Sequence, residues 1–228
     1  MVFVMSRPRT KVTLAMTADG KISDIERSPT QFSSSSDRAH LEKQTASADG
    51  VLFGAGTLRA HGGAAPVSKK SQTSQQQNQP PKPAQIVCSS SANIDPQLRF
   101  FRQSIPRWLL TTATGAKAWQ AHSDKFERII VAETASGHID WIDAFEKLAQ
   151  LDFQKLAVIG GGKLVASLLA ADLIDELWLT VCPLILGGAT APTPVEGAGF
   201  SPQQARRLEL LSVETLEQEV FLHYRLQR

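Results

Sequence analysis

Cysteine is scarce: the 228 residues hold only Cys88 and Cys182. Each sits in an apolar, strand-like run. That pattern reads as a buried free thiol in a reducing compartment and argues against a disulfide framework. Excess charge is scarce too. Lys and Arg total 24 against 22 Asp and Glu, a formal net charge of +2, too little to favour nucleic acid or an anionic membrane. No apolar run approaches the ~18 residues of a membrane-spanning helix. The opening Met1–Met5 is apolar, but it meets Ser6-Arg7-Pro8-Arg9 with no leading positive region, so it does not read as a secretory signal. His40, His61, His122, His138 and His223 are scattered without the spacing of a metal site. These absences point to a soluble cytoplasmic protein with no membrane, nucleic-acid or metal partner.

What is present is ordinary globular material. Hydrophobic residues make up 42% and charged residues 20%, and a chain of this length can bury a sizeable core. Strand-like and helix-like segments alternate. Strands are expected at 11–16, 50–54, 84–88, 107–111, 128–132, 156–159 and 174–182. Helices are expected at 37–48, starting at 56–60, and at 115–122, 141–151 and 163–171. Ser33 to Ser36 offer cap side chains for the first of these helices, which reads as having polar and apolar faces. Ile142, Phe145, Leu148 and Ala149 recur at helical spacing in the 141–151 segment. Residues 207–212 and 219–226 read as an antiparallel edge pair. Alternation of this kind implies an α/β sheet, largely parallel with a mixed edge. The four tryptophans read as core or edge packing. Between about residues 62 and 83 the composition turns to Ser, Gln, Lys and Pro without apolar periodicity, which reads as a mobile surface loop.

Three glycine-rich segments follow strands. Val158-Ile159-Gly160-Gly161-Gly162-Lys163-Leu164 runs from a strand into a helix. Glycines there admit a ligand close to the backbone, and the helix N-terminus favours a phosphate. The same residues would also make a tight turn with no ligand. The segment is neither a Rossmann fingerprint nor a P-loop. Phe53-Gly54-Ala55-Gly56-Thr57 repeats the strand, glycine and helix order. Leu186-Gly187-Gly188 follows another strand, and Gly197-Ala198-Gly199-Phe200 lies shortly after. Two such loops on one sheet suit a dinucleotide lying across the strand ends.

In that order, Ala15-Met16-Thr17-Ala18-Asp19-Gly20-Lys21-Ile22, Ala48-Asp49-Gly50 through Thr57, Ile159-Gly160-Gly161-Gly162, and Asp175-Glu176-Leu177 through Gly188 give a set more specific than any one member. The chain from about Thr10 to Arg228 resembles the reductase domain of the riboflavin-pathway deaminase/reductase and its stand-alone homologues. The resemblance implies a dihydrofolate-reductase-like α/β fold, a single reductase domain, a homodimer and NADPH. The implied reaction is reduction of the ribosyl chain of a 5-amino-6-ribosylaminopyrimidine phosphate to ribityl. The zinc-deaminase signature is absent from the sequence. The implied cofactor contacts are Ala15 and Thr17 near the nicotinamide, then Thr57, His61 and Ser90, with Gly160, Gly161, Gly162, Lys163 and Leu164 around the phosphates.

The substrate positions depart from the family. Gln44-Thr45 stands where the family has Leu-Arg. His61 replaces an Asp, Ser68 replaces an Arg, and Ile159 takes the place of a Glu before the three glycines. Thr45, Ile159 and Arg38 are the candidate substrate contacts, and no catalytic acid is legible. An acid and two arginines suit a sugar phosphate, so two alternatives stand beside the leading reading. One is a reductase of the same fold with another small substrate. The other is a catalytically silent NADPH-binding module.

Overall fold

The computed structural model describes residues 7–29, 32–65 and 82–228. Most of the Gln-rich segment, including Ser68, therefore lies outside the described residues. The strands are β1 (Arg9–Thr17), β2 (Gly50–Gly54), β3 (Ala84–Cys88), β4 (Arg107–Thr111), β5 (Arg128–Val131), β6 (Lys155–Val158), β7 (Glu176–Cys182), β8 (Leu208–Leu216) and β9 (Glu219–Leu226). The α-helices are α1 (Ser35–Ala46), α2 (Ala55–His61), α3 (Ala113–Ala118), α4 (Trp141–Gln150) and α5 (Gly162–Ala170). All nine strands form one sheet, in the order β5-β4-β3-β2-β6-β1-β7-β9-β8. The pairs from β5 to β7 are parallel, and β9 runs antiparallel to both β7 and β8. The α/β, mostly parallel sheet with antiparallel C-terminal strands is as the sequence implied.

The central strands are apolar on both sides because both faces are covered. On one face α4 and α5 bring Phe145, Leu148, Leu164, Val165 and Leu168 against Val12, Leu14, Leu52, Ile86 and Val158. On the other face Leu58 of α2 joins Phe53, Val87, Phe100, Phe101, Trp119 and Phe126. The aromatic rings there pack mostly edge to face, with Phe100 and Phe101 at 5.2 Å. Phe100 and Phe101 lie in a one-turn 3-10 helix, Arg99–Arg102. Both cysteines are buried and free. Among the described residues no helix is long and apolar enough to cross a membrane.

Three local expectations are corrected. The buried stripe of α4 contains Ala144, Phe145 and Leu148, while Ile142 faces out. The 115–122 segment splits into α3 and a 3-10 turn, Gln120–Lys125. The split falls at Trp119, whose buried indole N–H donates to the Ala92 carbonyl at 2.7 Å. Helix α1 does not bury an apolar face: its buried residues are Asp37, Gln44 and Thr45. Its packed side is polar, and His40 lies against Trp178 of β7 and Phe221 of β9.

Candidate active site

The C-terminal ends of the parallel strands carry the glycine-rich segments, as sites on open α/β sheets do. After β6, the Ile159 N–H donates to the Leu52 carbonyl at 3.1 Å, and the Gly54 N–H donates to the Gly160 carbonyl at 2.9 Å. The turn is thereby fixed to β2. Gly160 has φ +103°, a conformation closed to side chains. Gly162 meets a different demand. A Cβ there would come 2.2 Å from the Thr193 carbonyl oxygen and 2.9 Å from Glu196 Cγ. The 193–196 loop can lie on the start of α5 only because that carbon is missing. Gly161 is open by contrast, since a Cβ there would meet the Thr57 hydroxyl at 3.6 Å. The N–H groups of Gly161, Gly162 and Lys163 have no hydrogen-bond partner among the described residues. Three free donors at a helix N-terminus, in the positive end of its dipole, are the chemistry of an anion site.

Thr57 faces this turn from α2. His61 is the last residue of α2 and is exposed. Ser90 follows β3 and is exposed, and its carbonyl accepts from the Thr112 hydroxyl at 2.8 Å and the Thr111 hydroxyl at 3.3 Å. Lys163 is exposed, whereas the Leu164 side chain is buried in the core under α5. Leu164 thus contributes packing, and the free donors of the turn lie just before it.

Half-buried Ala15 and buried Thr17 lie near the end of β1. The Thr17 hydroxyl donates to Asp19 at 2.5 Å and accepts from the Lys21 N–H at 2.9 Å. Asp19 also accepts from the N–H groups of Leu186 at 3.1 Å and Gly187 at 2.7 Å. The Thr17 bond, helped by these backbone donors, lowers the Asp19 carboxyl to about 2. The Leu186-Gly187-Gly188 motif is therefore partly accounted for: its amides hold the turn after β1. Further ties run from Ala18 N–H to the Leu184 carbonyl and from Ile22 N–H to the Pro192 carbonyl, both at 2.9 Å.

Helix α1 packs over β1 and, through His40, against Trp178 of β7 and Phe221 of β9, while α2 packs over β2 and β3. Ile159 follows β6 and Ala15 lies near the end of β1, on two strands adjacent in the sheet. Arg38 is exposed on α1. Thr45 is 0% exposed, and its hydroxyl donates to the Leu41 and Glu42 carbonyls of its own helix at 3.0 and 3.1 Å. Sequence reasoning passed over Asp37 as only loosely placed and missed Glu219, two buried carboxyls near the start of α1. The Ser33–Ser36 cap signal marked the place but carried no sign of a partner on the last strand.

The mostly parallel sheet with antiparallel C-terminal strands is a dihydrofolate-reductase-like fold. The fold matches dihydrofolate reductase from Enterococcus faecalis, complexed with NADP(H), at a TM-score of 0.51 and 14% identity over 96% of this chain and 97% of that one. It matches Acinetobacter baumannii RibD at 0.78 and 17% identity, covering 97% of this chain and 59% of that one. The chain belongs to the RibD C-terminal domain family, whose model matches residues 8–222. Among curated proteins it is 26% identical over 219 residues to the 2,5-diamino-6-ribosylamino-4(3H)-pyrimidinone 5′-phosphate reductase of Methanothermobacter thermautotrophicus, covering 96% of this chain and 98% of that protein.

Proposed function

We propose that this chain is an NADPH-dependent reductase of riboflavin biosynthesis, acting on the ribosyl chain of a 6-ribosylaminopyrimidine 5′-phosphate and reducing it to ribityl. The observation that carries the reading is the turn between β6 and α5. Three unpartnered amides lie together there, and Gly161 faces the Thr57 hydroxyl with no Cβ in the way. These residues fit a dinucleotide phosphate. The near full-length match to the archaeal reductase supports the substrate class.

A bound nicotinamide dinucleotide would supply hydride for the anomeric carbon. The chain's own part is binding and orientation. The amides of Gly161, Gly162 and Lys163 would hold a phosphate, with the Thr57 hydroxyl on its other side. Ala15 and Thr17 would bound the nicotinamide end, with His61 and Ser90 beside neighbouring strand ends. Arg38, exposed on α1, is the candidate cation for a substrate anion. One sheet running from β1 to β9 supports a single reductase domain.

A homodimer belongs to the same reading. Leu179, Leu222 and Val213 form one apolar row across β7, β9 and β8, and Leu177, Tyr224 and Leu210 form the next. Val213 and Leu210 are each 53% exposed, and a face of this kind suits a second copy. The two buried free thiols support a cytoplasmic setting.

A second reading, another small substrate on the same fold, is favoured by Thr45 and Ile159. They stand where an arginine and a glutamate would grip a sugar phosphate, and Thr45 is buried. One experiment separates the two: NADPH oxidation with the diaminopyrimidinone and the aminouracil ribosylamine phosphates, beside a fluorescence titration with NADPH. Turnover with a KM of roughly 1 μM to 1 mM is expected. Tight NADPH binding with neither pyrimidine consumed would favour the second reading. Absence of NADPH binding would refute both.

A further inference from the structure

Beneath α1, the sheet face carries polar groups that the cofactor contacts do not use. Asp37 is 6% exposed, and its carboxyl accepts from the side chains of Thr180 on β7 and Ser33. Glu219, at the start of β9, is 3% exposed. Its carboxylate accepts from the Ser34 N–H at 3.0 Å, the Ser34 hydroxyl at 2.5 Å and the Cys182 thiol at 3.4 Å. Glu219 therefore has three donors, while Asp37 sits in its field. The titratable groups facing Asp37 are Glu219 from β9 and Cys182 from β7. Burial raises the Asp37 carboxyl, and the Glu219 charge adds to this against the two hydrogen bonds that lower it. The Cys182 thiol is pushed up to about 12, chiefly by burial, so it remains a neutral donor.

The position is next to the expected reaction centre. Thr180, the partner of Asp37, is the register partner of Ala15, and adjacent strands lie about 4.8 Å apart. A separate observation marks the same layer as polar and incompletely satisfied. Thr13 is 4% exposed, and its hydroxyl has no partner among the described residues. It shares a face of β1 with Ala15 and Thr17. Its register partner Trp178 carries the His40 ring, one turn along α1 from Asp37. A buried hydroxyl without a partner is costly unless something polar reaches it.

We infer that the Asp37 carboxyl opens the ribosyl ring, with Glu219 as its positioning residue. The inference rests on the reductase reading above. A closed ribosylamine has no acceptor for hydride, so its C1′–O4′ bond must break first. The Asp37 proton goes to O4′ with the electron pair of that bond. The lone pair of the exocyclic nitrogen forms a C1′=N⁺ bond, and Asp37 is left as a carboxylate beside the cation it has made. Water restores its proton after turnover. The opening step is redox-neutral and needs no cofactor.

Exchange between the α and β anomers passes through the same open form, so it can be read by NMR on the cofactor-free protein. Wild type is expected to accelerate exchange, and Asp37→Asn to lose about 100-fold or more of that acceleration, the scale of general acid catalysis. NADPH affinity and the far-UV spectrum should hold, and Asp37→Glu should restore part of the rate. Should Asp37→Asn fail to fold, Glu219→Gln carries the test: its exchange profile must lose rate at a lower pH than wild type, because a charge that adds to burial in raising Asp37 is gone. If wild type reduces the pyrimidine but Asp37→Asn exchanges anomers as fast, or Glu219→Gln keeps the wild-type profile, the inference is wrong and the reductase reading stands. If wild type neither exchanges nor reduces the pyrimidine, both are wrong.

Discussion

Asp19 accepts three hydrogen bonds in the open, whereas Asp37 is buried beside another carboxyl, and their pH signatures have opposite signs. The folded value of Asp19 lies at about 2 against an ordinary 3.8. Its contribution to stability is complete above 3.8 and is lost as pH falls toward 2. Asp19→Asn should flatten the acid limb of the stability curve in that window, measured as urea midpoints. Equal limbs in both proteins would show that the turn after β1 does not depend on this carboxylate. Asp37 is raised, so it detracts from stability as pH climbs from 3.8 toward its folded value. Gly162→Ala should cost about 1–3 kcal/mol from overpacking and weaken NADPH binding. A melting temperature and dissociation constant like wild type would refute the close approach of Thr193. The three glycines and Thr57 were legible because ligand loops leave local motifs. Asp37 was not, because its partner layer includes Glu219, which bonds Ser34 from 185 residues away in sequence.

Among the elements, α1 depends on one cap. The Ser34 hydroxyl accepts from the Ser36 and Asp37 N–H groups, both at 3.1 Å, and donates to Glu219. Ser34→Ala should cost about 1–2 kcal/mol by chemical denaturation, and a cost near zero would mean that α1 is held by its packing alone. The run of serines predicted this helix start, but its inward side was misread. A polar inner face of Asp37, Gln44 and Thr45 gives no apolar periodicity, because its partners are hydroxyls, rings and a second carboxyl. The strands at 50–54, 84–88 and 107–111 were legible to the residue, being short apolar runs between turn signals. The 3-10 helix at 99–102 was not. Four residues carry no period, and Phe100 and Phe101 are placed by rings from distant segments.

For the molecule as a whole, the proposed homodimer would use the apolar face of β7, β9 and β8. Leu210→Glu combined with Val213→Lys should convert a dimer to a monomer in sedimentation equilibrium, with the far-UV spectrum retained. A dimer that survives the pair would place the interface elsewhere. The sheet class and the motif order were legible in the sequence. The face left for a partner was not, since half-exposed leucines and valines look like core until the helices are placed. The sheet order also bears on how the chain is made. β1 lies between β6 and β7, with Arg9 beside Lys155 and Thr17 beside Cys182. β1 is therefore made well before either of its lateral neighbours, β6 and β7. Such long-range closure is slow. Because the Ile159 and Gly54 amides tie the candidate cofactor turn to β2, a nucleotide held there would stabilise the chain only once β6 and α5 have been made, so it acts on the folded sheet and not on its early strands.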